Sequence, residues 1–139
     1  MAKVPAIPNQ GREIREYILE GTAAFREGAA VVLVDGELEE CGADPALIVG
    51  FALHDAGALP LTDRCLVAKA TDKATFFMEG DSDPVLADTG VEYGIAKDGD
   101  GDWYVNTADT VETRVVVEDV DTTRNLYEVR VLAANRQLA

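Results

Sequence analysis

The residues best equipped for chemistry are carboxylates. Asp98, Asp100 and Asp102 alternate with Gly99 and Gly101, the spacing of positions 1, 3 and 5 in a calcium loop, and Asp109 falls at position 12. The match is incomplete. Trp103 stands where such loops carry glycine, Asp109 replaces the usual bidentate glutamate, and the flanks have strand periodicity rather than helical. A solvated hairpin tip accounts for the pattern, so no metal ligand is expected. His54 and Asp55 offer a base and its orienter, with Ser82 as a nucleophile. Ser82 lies between Asp81 and Asp83, which disfavours an alkoxide, and lacks a G-x-S-x-G turn. A surface histidine at a strand end is the expectation. Zinc needs Cys41, Cys65, His54 and a carboxylate to converge without any C-x-x-C pair. Glu39 and Glu40 have the types of a glycosidase acid pair, but 26 acidic residues produce such neighbours by chance. There is no phosphate-binding loop and no dinucleotide fingerprint. The reading is therefore a non-enzyme with no catalytic, cofactor-binding or metal residue and no cofactor.

The elements that must carry these residues are short strands. Val91, Tyr93 and Ile95 alternate with Glu92, Gly94 and Ala96, and Trp103 and Val105 alternate with Tyr104 and Asn106. Period two on both sides of a Gly/Asp cluster predicts a β-hairpin over 91–106 with a polar tip. It carries the single tryptophan and two of the four tyrosines, so it should supply much of the aromatic core. Residues 30–34 and 37–41 flank Asp35-Gly36, a two-residue turn that pairs Val34 with Glu37 and Leu33 with Leu38. The apolar run 47–53 predicts a strand buried on both faces or facing an oligomer contact. Residues 65–70 and 74–79 read as a strand pair around Thr71-Asp72-Lys73. The last hairpin spans 114–120 and 126–133, with Tyr127, Val129 and Val131 on one face. A strand from Arg12 towards Phe25 is favoured over a helix, because no capping residue precedes Ile14, Tyr17 and Ile18. Residues 1–11, with Pro5, Pro8 and Gly11, read as an extended arm awaiting a partner, and 12–139 as one β domain. Eight or nine strands with frequent turns predict an all-β, single-domain barrel or sandwich of short antiparallel strands.

The chain has 139 residues, enough for one sizeable core. Its longest apolar runs are too short to cross a bilayer, and no signal-peptide core precedes Arg12, so the expectation is a protein kept where it is made or released by lysis. Cys41 and Cys65 should then be reduced and behave as small buried hydrophobes. The net charge is −14, but it is unevenly placed. Residues 1–30 sum to zero, residues 124–139 to +2, and residues 31–123 to −16. An acidic middle argues against wrapping nucleic acid, whose phosphates need Lys and Arg. It leaves the near-neutral ends free to dock while the acidic body faces solvent.

Three stretches together resemble the capsid decoration, or cement, proteins of tailed bacteriophages. They are FREGAAVVLVDGELEECGADPALIVGFALHDA (25–56), DTGVEYGIAKDGDGDWYVNTADTVETRVVVEDVD (88–121) and LYEVRVLAANRQ (126–137). The order carries the likeness: a Gly-led strand, a hairpin, an Ala-Asp-Pro turn, IVGFAL, YG with a following tryptophan, a Val-rich strand and a terminal VRVL. The resemblance implies a β-rich, β-tulip-like virion protein on the outer surface of a capsid, made in the host cytoplasm. Its partners would be an HK97-type (HK97-like) major capsid protein and neighbouring decoration subunits, as a homo-trimer or a dimer. Such proteins clamp capsomer junctions and are not enzymes. Segments 1–20 and 130–139 are the expected contacts. Two other readings remain: another virion module such as a head-fibre base or tail component, and a carbohydrate-binding module using Trp103, Tyr93 and Tyr104. For Trp103 core packing is preferred, because it shares a face with Val105.

Overall fold

The computed structural model describes residues 5–138. Eleven strands are present among them: β1 (Ile7–Pro8), β2 (Ile14–Ile18), β3 (Ala30–Val34), β4 (Glu37–Glu40), β5 (Gly50–Ala52), β6 (Arg64–Lys69), β7 (Phe76–Met78), β8 (Glu92–Lys97), β9 (Trp103–Asn106), β10 (Val115–Asp121) and β11 (Leu126–Val131). The only helical pieces among these residues are two 3₁₀ turns, Leu86–Asp88 and Ala133–Asn135. The fold is all-β, as the period-two patterning predicts.

The strands form two antiparallel sheets. One has the order β1-β7-β11-β10-β8-β9 and the other β2-β6-β5-β3-β4. Each curls on itself: a parallel bridge joins Gly80, just past β7 and one strand in from the edge, to Val105 of β9, and another joins Leu19, just past the edge strand β2, to Leu38 of β4. Curling leaves fewer unpaired backbone groups at the edges. A single apolar cluster runs between the sheets, including Val31, Leu38, Phe51 and Val67 from one and Phe76, Met78, Tyr127 and Val129 from the other. The rings of Phe51 and Phe76 meet across it in a tilted pair with centroids 4.6 Å apart.

The local turn chemistry is visible in each hairpin. Asp35 and Gly36 both take positive φ, 51° and 84°, as a two-residue hairpin turn demands, and Val34 faces Glu37 while Leu33 faces Leu38. In the β8–β9 hairpin Ile95 pairs with Val105 and Lys97 with Trp103. Tyr93, Ile95, Trp103 and Val105 are all buried. In the last hairpin Val129 pairs with Val117 and Val131 with Val115, on the core face. The run 47–53 contains β5, every residue of which is buried. Gly50 is there because the chain passes tightly over β6: a Cβ would run into the Ala68 carbonyl and the Val67 side chain.

Three expectations are corrected. Residues 65–70 and 74–79 are not a strand pair. β6 lies between β2 and β5, whereas β7 lies between β1 and β11 in the other sheet. The turn at 71–73 is therefore a crossover between layers, which strand patterning cannot tell from a hairpin. The first segment is extended but not detached. Ile7 pairs with Phe77 and Pro8 with Phe76, Ala6 is buried, and Asn9 N–H donates to the Thr75 carbonyl at 2.9 Å. Pro8 is tolerated because β1 is an edge strand. The part of the arm before residue 5 lies outside the described residues. Finally, the strand beginning near Arg12 ends at Ile18 rather than approaching Phe25, because Gly21 and Thr22 turn the chain.

Candidate functional site

The residues proposed for nucleophilic catalysis do not assemble. His54 follows β5 and is tied down at both ring nitrogens. Nε2 accepts the Leu66 N–H at 3.1 Å, so Nδ1 carries the proton and donates to the Asp55 carbonyl at 2.9 Å. Asp55 Oδ1 accepts the Glu27 N–H at 2.8 Å instead of orienting the imidazole. Ser82 sits beside the other sheet, its hydroxyl 3.4 Å from that of Thr107. The histidine holds a loop onto β6.

The two cysteines are buried and unbridged. Burial, with Glu40 nearby, pushes the Cys41 thiol up to about 12, and burial pushes Cys65 up to about 11. Both remain thiols, which neither attack nor ligate readily. Cys41 points to the Leu47 carbonyl, and Cys65 to the carbonyls of Leu66 and His54. Glu39 and Glu40 are adjacent on β4 and so project to opposite faces. Glu40 is fully engaged: Oε1 accepts Lys97 Nζ at 2.8 Å and Oε2 accepts the Trp103 indole N–H at 2.9 Å. That network ties β4 of one sheet to β9 of the other. Trp103 is 4% exposed, so the core reading of the tryptophan holds. Tyr93 is also buried, donating to Asp88 Oδ1 at 2.7 Å; that hydrogen bond, then burial, pushes its phenol up to about 12. Of the three aromatic residues proposed for stacking on sugar, only Tyr104 is partly exposed. A shallow cavity of about 420 Å³ lies between Trp103, Lys97 and the 41–44 turn.

The aspartate tip is more structured than a solvated turn. Carboxylate oxygens of Asp98, Asp100 and Asp102 lie within 4.8 Å of one another. Asp98 Oδ1 curls the loop by accepting the N–H of Asp100 at 2.9 Å and of Asp102 at 3.0 Å. Asp100 is exposed, but Asp102 is only 5% exposed. Arg26 leans over the tip, with Nη1 donating to the Asp100 carbonyl at 2.7 Å and Nε 3.9 Å from Asp102 Oδ1. Asp109, the twelfth position of the supposed loop, is not part of this cluster. It sits near Gly94, and its Oδ1 accepts the N–H groups of Val111 and Glu112.

A second feature emerges only in three dimensions. The chain segments without acidic excess gather around the 71–73 crossover. Gly11 packs on the Lys73 carbonyl, the Lys69 N–H donates to the Glu13 carbonyl at 2.8 Å, and Arg130 donates to the Asp72 carbonyl at 3.2 Å. Arg136 lines the same hollow as Asp72 and Arg130. Alongside, the edge strand β2 exposes Ile14 (42%) and Ile18 (49%). Arg12, Arg15 and Lys73 are exposed there, and no ion pair joins them to another described residue. On β2 the two isoleucines share their side of the strand with Glu16, which pairs with Arg64, while Arg15 projects to the other side, so this surface is apolar with mixed charge on an otherwise acidic molecule.

No protein-family model matches this chain, and no curated protein matches it.

Proposed function

We propose that this chain is a structural virion protein that binds the outer surface of an HK97-type bacteriophage capsid and holds capsomer junctions together. The observation carrying this reading is the face built by β2 and the 71–73 crossover. It combines exposed isoleucines with basic and acidic groups in near balance, while residues 31–123 hold a charge of −16. Apolar centres with arginine nearby are the composition of protein–protein contacts. The acidic remainder suits the solvent side of a particle and discourages contact between particles. The three stretches that resemble decoration proteins supply β3 to β5, β8 to β10 and β11, which are the body of both sheets. The partners are the coat protein and neighbouring subunits of the same chain, arranged as a trimer, with a dimer as the alternative. Each buried isoleucine contributes about 1 kcal/mol at the exposure observed. Simultaneous docking of linked subunits multiplies that modest contact.

The test is to mix the purified protein with undecorated expanded heads and measure co-sedimentation and heat resistance of the particles. Binding at hundreds of copies per particle is expected, with a rise in the temperature at which heads rupture. Ile14→Asp combined with Ile18→Asp should abolish occupancy while leaving the melting temperature nearly unchanged, because both side chains are exposed. Wild-type protein that stays in the supernatant sinks the capsid reading. A double variant that binds as well as wild type moves the docking face elsewhere.

A further inference from the structure

We propose that the β8–β9 tip is a binding site for a hard divalent cation of the calcium type, with Asp98, Asp100 and Asp102 as its carboxylate ligands. Three carboxylates within 4.8 Å repel one another unless a positive charge sits among them. Proximity of acids on a surface turn is common, and the argument rests on Asp102. This side chain is 5% exposed, and its Oδ2 is buried with no hydrogen-bond partner among the described residues. Burying a carboxylate oxygen without a donor is costly, so native chains do so rarely and where something else meets it. Among the described residues, the guanidinium beside it meets it poorly. Arg26 Nε stands 3.9 Å from the other oxygen, Oδ1, beyond hydrogen-bond length, while its Nη1 is committed to the Asp100 carbonyl. The guanidinium offsets part of the charge and leaves Oδ2 unmet.

The donor set selects the ion. All candidate ligands are oxygens, with no imidazole or thiolate at the tip, which favours calcium or magnesium over zinc or copper. The turn is short and glycine-bearing, with Gly101 at φ 88°, and the loop from 98 to 102 is closed by the Asp98 N–H donating to the Asp102 carbonyl at 2.9 Å. A set of three carboxylates and solvent fits the tolerant coordination of calcium better than the strict octahedron of magnesium. Missing both the position-6 glycine and the twelfth-position glutamate, the site belongs with weak, roughly millimolar sites rather than with signalling loops. The inference stands apart from the capsid reading and neither needs nor supports it.

Two readouts test it on the full chain. Terbium, a luminescent substitute for calcium, should be sensitised by Trp103, the residue following Asp102, and displaced by calcium. Calcium at about 10 mM should raise the melting temperature by roughly 5 °C, given a dissociation constant near 1 mM, and equimolar magnesium should raise it less. Asp100→Asn, at an exposed position that does not threaten folding, should abolish both effects. Arg26→Gln should tighten binding several-fold by removing the competing charge. The proposal falls if calcium leaves the melting temperature unchanged and terbium stays dark. It also falls if Asp100→Asn responds like wild type, because the ion would then only be screening a surface of charge −14.

Discussion

Replacing Glu40 separates a hydrogen bond from a charge. Its carboxylate accepts the indole N–H of Trp103 at 2.9 Å and the ammonium of Lys97 at 2.8 Å. Trp103 is 4% exposed, so its N–H loses its partner and gains little water when Glu40 becomes alanine. An unsatisfied buried donor costs about 1–3 kcal/mol. The Lys97 pair is worth less: its side chains are 41% and 22% exposed, and such pairs contribute about 0.2–1 kcal/mol. Glu40→Ala should therefore destabilise by about 2–3 kcal/mol. Glu40→Gln keeps a carbonyl oxygen for the indole and gives up only the charge, so it should cost about 1 kcal/mol or less. Lys97→Ala should resemble the glutamine variant. Urea unfolding followed by tryptophan fluorescence measures all three, since Trp103 is the only tryptophan. Equal losses in Glu40→Ala and Glu40→Gln refute the reasoning, because charge rather than the indole bond would then join the two sheets.

Other consequences follow from the same packing. Stability should fall as pH rises from about 9 to 12. Cys41, Cys65 and Tyr93 hold their protons more tightly folded than unfolded, with values near 12, 11 and 12 against ordinary ones of 9.0 for the thiols and 10.0 for the phenol. The folded chain thus binds more protons across that window, and each group contributes a slope of up to about −1.4 kcal/mol per pH unit. In Cys41→Ala the decline, read by urea titrations at each pH, should be shallower; parallel curves would exclude that thiol as a source. Gly50→Ala should cost about 3 kcal/mol or more, because the added methyl meets the Ala68 carbonyl and no side-chain rotation relieves it. A melting temperature within a degree of wild type would show that β5 and β6 can separate freely.

Much of the architecture can be read from neighbours in sequence. The alternation of Tyr93, Ile95, Trp103 and Val105 and the Asp35-Gly36 turn specify hairpins; both appear, and the second has the expected register. Those features depend on side-chain period and turn φ, which act over a few residues. His54 and Ser82 lie beside different sheets, and Asp55 accepts the Glu27 N–H, an arrangement set by the strand order. Which sheet a strand joins is another matter. β6 and β7 are separated by a turn that looks like a hairpin, yet β6 pairs with β2 and β5 and β7 with β1 and β11, partners distant in sequence that place them in different layers of one core. The docking of residues 5–11 on β7 depends equally on a strand end some seventy residues away.

The candidate sites divide along the same line. Alternating aspartates at the tip are plain in the sequence, but the burial of Asp102 and its unpartnered oxygen arise from how the hairpin meets Arg26. The apolar face of mixed charge exists because β2, the crossover and the end of β11 converge, although the charge totals along the chain already hint that the ends differ from the middle. Short-range patterning dictates which segments become strands and which face each turns inward. The partition into layers, the depth of each polar group and the surfaces assembled from distant segments come from packing the whole chain, because burial is a property of the closed core and no local pattern carries it.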